Sequence, residues 1–118
     1  MKTIHIYCGL FLLCFACVQP TIEHKIEVEL DMRKLGDIQA VGIRGEYPPL
    51  SWNTDLPLTD PDGDGIYTGN FIMDIPYDSF QYKFVLNGSE FELPGQDNRV
   101  LNFEGKTSLK LQAAFDQP

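Results

Sequence analysis

From residue 26 onward, apolar and polar side chains alternate. Ile26, Val28, Leu30 and Met32 are interleaved with Glu27, Glu29 and Asp31, the period of two that sends successive side chains to opposite faces of a strand. A second short strand is expected around Val41 to Arg44. It cannot run on through Gly45-Glu46-Tyr47-Pro48-Pro49, because proline brings no N–H to a ladder. Ile66 to Met73 and Ser79 to Leu86 read as two more strands, joined as a hairpin near Pro76-Tyr77-Asp78, and Arg99 to Phe103 and Thr107 to Leu111 read as a closing pair around Glu104-Gly105-Lys106. Helical periodicity does not recur, and Gly and Pro interrupt the body about every ten residues. These patterns predict an all-β chain, an antiparallel sandwich of about six to eight short strands. The predicted core is Ile26, Val28, Leu30, Val41, Ile43, Phe80, Tyr82, Phe84 and Leu109. Within the strand from Ser79, alternation opposes Phe80, Tyr82 and Phe84 to Gln81, Lys83 and Val85, so Lys83 is expected to face outward.

The start of the chain has a different character. Met1-Lys2 is a short basic opening, Ile4 to Phe15 is mostly apolar, and Ala16 is a small residue suited to processing. Such a segment is too short for a permanent membrane-spanning helix and reads as an export signal over residues 1–16. Cys8, Cys14 and Cys17, the chain's three cysteines, all lie in it or at its end, which leaves the body without disulfide or thiolate chemistry. Cys14-Phe15-Ala16-Cys17 resembles a bacterial lipoprotein box, with Cys14 in place of the usual leucine. That resemblance implies lipidation of Cys17 and anchoring at the bacterial cell envelope, in the outer membrane or periplasm; plain cleavage and secretion is the alternative. Residues 17–24 are then expected to form a short tether and residues 25–118 a single domain with one modest core.

Charge narrows the partners. The full chain carries a formal net charge of −8, and the signal contributes no acidic residue to it. An acidic body repels phosphate backbones and anionic lipid heads, so nucleic acid is excluded and membrane contact is expected through the anchor only. A neutral polymer meets no such barrier. The domain is expected to be a monomer and to need no cofactor.

Trp52, Lys83 and Phe91 are the candidate ligand-binding residues. A flat aromatic face stacks on the apolar face of a sugar ring, while an ammonium or amide bonds the hydroxyls around its rim. The same aromatics would serve equally as core. Trp52-Asn53 with Leu56-Pro57-Leu58, then Phe80-Gln81-Tyr82-Lys83-Phe84, then Phe91-Glu92 and Asn98-Arg99 resemble, in order and spacing, the starch- and glycogen-binding modules of carbohydrate-binding module families 20 and 48. The resemblance runs from about residue 39 to residue 103. It implies an immunoglobulin-like sandwich without catalytic activity that binds α-1,4-glucan, with Trp52 and Phe91 as stacking walls, Lys83 as a hydroxyl-binding arm, and Glu92 and Asn98 as polar contacts. Two departures stand out: Phe91 occupies a position that most members fill with Trp, and Pro48-Pro49-Leu50-Ser51 replaces a Leu-Gly-Asn run.

Other chemistries leave weaker traces. Asp60-Pro61-Asp62-Gly63-Asp64-Gly65 begins like a calcium loop, with Asp60, Asp62 and Asp64 at alternate positions, yet Phe71 stands where a bidentate Glu would close it. Turn chemistry accounts for the same residues. His24 is the body's one histidine, which argues against a Ser/His/Asp triad or a histidine-rich metal site. No carboxylate pair is singled out for glycoside hydrolysis. A protein-interaction or scaffold lipoprotein on the same sandwich is the alternative to glycan binding.

Overall fold

The computed structural model describes residues 19–36 and 40–118. The signal segment and Cys17 lie outside the described residues.

The described chain is all-β, with eight strands in two sheets and no helix among the described residues. They are β1 (Ile22–Asp31), β2 (Val41–Gly45), β3 (Leu56–Leu58), β4 (Ile66–Ile75), β5 (Ser79–Leu86), β6 (Glu90–Phe91), β7 (Arg99–Asn102) and β8 (Ser108–Ala114). One sheet has the order β4-β1-β8; the other has β3-β2-β5-β6, with β7 also paired to β5. Paired bonds between Thr59 and Thr68, at 2.9 and 2.7 Å, link the two sheets along one margin.

Two expected pairings are corrected. β4 and β5 do not form a hairpin: β4 pairs with β1 and β5 with β2, so Pro76-Tyr77-Asp78 carries the chain from one sheet to the other. Nor do the last two strands close on each other. β7 pairs antiparallel with β5, whereas β8 lies parallel to β1, with Ile26 opposite Leu109. Alternation assigns a strand its buried face but is silent on its neighbour, and a short turn can serve an arch between sheets as well as a hairpin. Glu104 and Gly105, both at positive φ (53° and 74°), make that second arch.

The expected core is present. Ile26, Val28, Leu30, Val41, Ile43, Phe80, Tyr82 and Phe84 are buried, and Leu109 is half-buried against them. Phe80 is the hub, with Phe71, Tyr82 and Phe103 rings at 6.2, 5.6 and 5.7 Å between centroids. Each fully buried ring of this kind contributes about 1.5–3 kcal/mol of apolar burial. The expected tether is shortened: β1 begins at Ile22, and His24 is buried and stacked on Phe103 at 3.7 Å between centroids.

Candidate functional site

The outer face of the β3-β2-β5-β6 sheet carries two of the candidate residues, Lys83 and Phe91. Register places Pro57, Gly42, Val85 and Phe91 in one row across the four strands. Arg44 and Lys83 are opposed in a second row. Phe91 reaches the sheet through a tight hairpin whose corner is Asn87-Gly88, both at positive φ (51° and 75°), the combination a type I′ turn demands. The Asn87 backbone N–H and side-chain oxygen both engage Ala40, at 2.8 and 3.1 Å, and hold this hairpin against the start of β2.

Trp52 sits on the loop between β2 and β3. Leu50, buried at the base of the loop, donates its N–H to the Tyr47 carbonyl at 3.0 Å, and Asn53 N–H donates to Ser51 Oγ at 3.1 Å. Trp52 itself is half-buried. Phe91 keeps 40 % of its surface exposed, so neither ring belongs to the core cluster.

Arg44, which sequence reasoning passed over, lies between the two. Its Nε donates to Asp55 Oδ1 at 2.5 Å, Nη1 to the Trp52 carbonyl at 3.2 Å and Nη2 to the Gly88 carbonyl at 2.9 Å. Its guanidinium carbon stands 5.3 Å from the centroid of the Phe91 ring, within cation–π range. Gly42 is needed beneath this arrangement, because a Cβ there would come within 2.7 Å of Asp55 Cβ. Outward alternation in β2 would have marked Arg44 as exposed; nothing in its spacing announces partners at residues 52, 55, 88 and 91.

Lys83 departs from expectation. It does face away from Phe80, Tyr82 and Phe84, but it is buried, at 8 % exposure, because the segment after β6 folds over it. Its Nζ donates to the Leu93 carbonyl at 3.1 Å and the Gln96 carbonyl at 2.9 Å. The ammonium pins that segment to the sheet instead of reaching freely into solvent.

Glu92 is also corrected, from polar surface contact to interior anchor. It has no exposed surface, and its carboxylate accepts Arg99 Nη2 at 2.7 Å, Arg99 Nε at 2.8 Å and the Phe84 N–H at 3.0 Å. The hydrogen bond to Glu92 pushes the Arg99 guanidinium further above its usual range, against the opposing effect of burial.

Asn98 stays at the surface, where its Nδ2 donates to Gln81 Oε1 at 3.0 Å. Two open grooves flank it. One, of about 520 Å³, is lined by Leu93, Gln96, Asp97 and Arg99 with Asn98; the other, of about 480 Å³, by Gln81, Gln96, Asp97 and Val100 with Asn98. Amides predominate among the side chains of the second groove, and these donate and accept toward neutral hydroxyls alike.

Asp60, Asp62 and Asp64 come together, with carboxylate oxygens within 4.8 Å of one another. Asp60 is already engaged: it accepts the Asp64 N–H at 3.2 Å and the Gly65 N–H at 2.9 Å. Burial works against ionisation of Asp60, yet the bonds from Gly65, Asp62 and Asp64 outweigh it and hold its carboxyl below the ordinary range. The hydrogen bond with Asp60 pushes the Asp62 carboxyl up. Backbone turn formation accounts for these contacts.

No protein-family model matches the sequence, and no curated protein matches it.

Proposed function

We propose that this protein is a non-catalytic carbohydrate-binding module that takes α-1,4-glucan on the outer face of the β3-β2-β5-β6 sheet, and that lipidation of Cys17 holds it at a bacterial envelope. The observation that carries the reading is the placement of Trp52 and Phe91. Both lie outside the core, and both meet one side chain, Arg44, Trp52 through its backbone carbonyl and Phe91 through its ring. An indole and a phenyl ring with free surface stack on the apolar faces of glucose units. Asn98 and Gln81, exposed in the groove beside β7, offer further hydrogen-bonding groups to a chain long enough to reach them. Lys83 and Glu92 take part from beneath: the first fixes the 93–96 backbone and the second fixes Arg99. The body's acidity leaves a neutral polysaccharide unopposed.

Shallow stacking of this kind corresponds to a dissociation constant of about 10 µM to 1 mM. Calorimetric titration with maltoheptaose tests it. Trp52→Ala should abolish binding with the fold retained, and Phe91→Trp, which enlarges the exposed ring, should tighten it. A wild-type chain that gives no heat with millimolar maltooligosaccharide would end the glucan reading. Cys17→Ser should release the protein from the membrane fraction, and unchanged fractionation would end the anchoring.

A further inference from the structure

We infer that Arg44 is a positioning residue that sets the separation and the usable face of the two aromatic rings. Three backbone or side-chain acceptors from two segments converge on its guanidinium: Asp55 and the Trp52 carbonyl from the β2–β3 loop, and the Gly88 carbonyl from the β5–β6 turn. The carbon of the same group lies over the Phe91 ring. A guanidinium can satisfy this set because its donors fan out in one rigid plane, whereas an ammonium is a single point of charge. With a side chain only 14 % exposed, Arg44 is a fixed post between the loop and the hairpin.

Two consequences follow. The loop of Trp52 leaves β2 and the hairpin of Phe91 leaves β5, and these paired strands carry β3 and β6 at opposite margins of the path β3-β2-β5-β6. The Asn87–Ala40 bonds fix the hairpin on the start of β2, and Arg44, near the end of β2, adds the direct tie between that hairpin and the Trp52 loop, which lowers the ordering cost that a ligand would otherwise meet. It also occupies one side of the Phe91 ring, which directs any stacking ligand to the other. The affinity consequence rests on the glucan reading; the fixed position of Trp52 does not.

Trp52 is the chain's one tryptophan, so intrinsic fluorescence of the purified full chain reports this position alone. In ligand-free protein, Arg44→Lys should move Trp52 emission to longer wavelength and raise its quenching by acrylamide, with the far-ultraviolet circular dichroism unchanged. Maltoheptaose affinity should fall by about tenfold, as for loss of a preorganising contact. Asp55→Asn, which removes only the charge facing Nε, should give the same changes at smaller amplitude and serves if the lysine variant does not fold. A folded Arg44→Lys or Asp55→Asn protein with wild-type emission and quenching would overturn the proposal, whether or not wild type binds glucan. Altered emission in a protein whose wild type ignores maltoheptaose would uphold Arg44 and sink the glucan reading instead. Altered emission with unchanged affinity would also overturn the role assigned to Arg44 in binding.

Discussion

Glu92 and Arg99 form a two-point ion pair, Nη2 to Oε1 at 2.7 Å and Nε to Oε2 at 2.8 Å, with the carboxylate wholly buried. Arg99 Nη2 also reaches the Ala114 and Gln117 carbonyls at 3.0 and 2.7 Å, so one cation ties β7 to the end of β8 and the turn beyond it. Removing the cation strands a buried charge, and Arg99→Met should cost about 3–5 kcal/mol. Glu92→Gln keeps an acceptor for the Phe84 N–H and leaves Arg99 two carbonyls, so it should cost less. Urea unfolding of the two variants gives the order; the reverse order would remove the stranded charge as the cause.

His24 stacks on Phe103 with planes 13° apart, and its buried Nδ1 has no hydrogen-bond partner. A buried polar atom without a partner is a net loss relative to an apolar group of the same shape. His24→Phe should therefore stabilise the domain by about 1 kcal/mol, read as a rise of a few degrees in Tm. A lower Tm would show that the imidazole contributes a bond or a fit that the phenyl ring cannot.

Burial pushes the Tyr82 hydroxyl up to about 12, with the Arg99 charge working in the opposite sense. The folded state thus holds this proton more tightly than the unfolded chain, whose tyrosines titrate at about 10. Stability from this source is complete below pH of about 10 and is lost as the pH rises towards 12. Tyr82→Phe removes the ionisation, so the Tm gap between variant and wild type should shift in the variant's favour between pH 9 and pH 11.5. A gap equal at both values would refute the linkage.

Asp60 and Asp62 should behave differently despite their proximity. Asp60 accepts two backbone N–H groups, so Asp60→Ala should destabilise by about 1–2 kcal/mol. Asp62 is exposed, and Asp62→Ala should be close to neutral. Millimolar calcium should leave the wild-type Tm nearly unchanged; a rise of several degrees would mean that the three carboxylates bind the ion.

The strands of this protein were legible because their faces are. Period-two alternation locates β1, β2, β4 and β5 and separates Phe80, Tyr82 and Phe84 from Gln81 and Lys83. β3 and β6, with three and two residues, are too short to carry a period, although Asn87-Gly88 ahead of Phe91 is a hairpin signal. Pairing partners were not legible, since the same hydrophobic face suits a hairpin and an arch. At the site, the aromatics could be read as residue types, but the burial of Lys83 and Glu92 depends on where the 92–98 segment folds. That segment is steered by Leu93, at φ 47°, whose N–H donates to Asp116 Oδ1 at 2.6 Å, a partner remote in the chain and invisible to local pattern.

The pairing of Ile22 with Ile75 has a geometric consequence for presentation. It sets the approach to β1 beside Pro76-Tyr77-Asp78, at the pole of the sandwich where β4 ends and β5 begins. β5 then runs away from that pole, so Leu86, the Gly88 corner and the row containing Phe91 lie toward the opposite one. Whatever is joined ahead of Ile22 therefore meets the domain at its foot, while the row containing Phe91 is carried toward the crown.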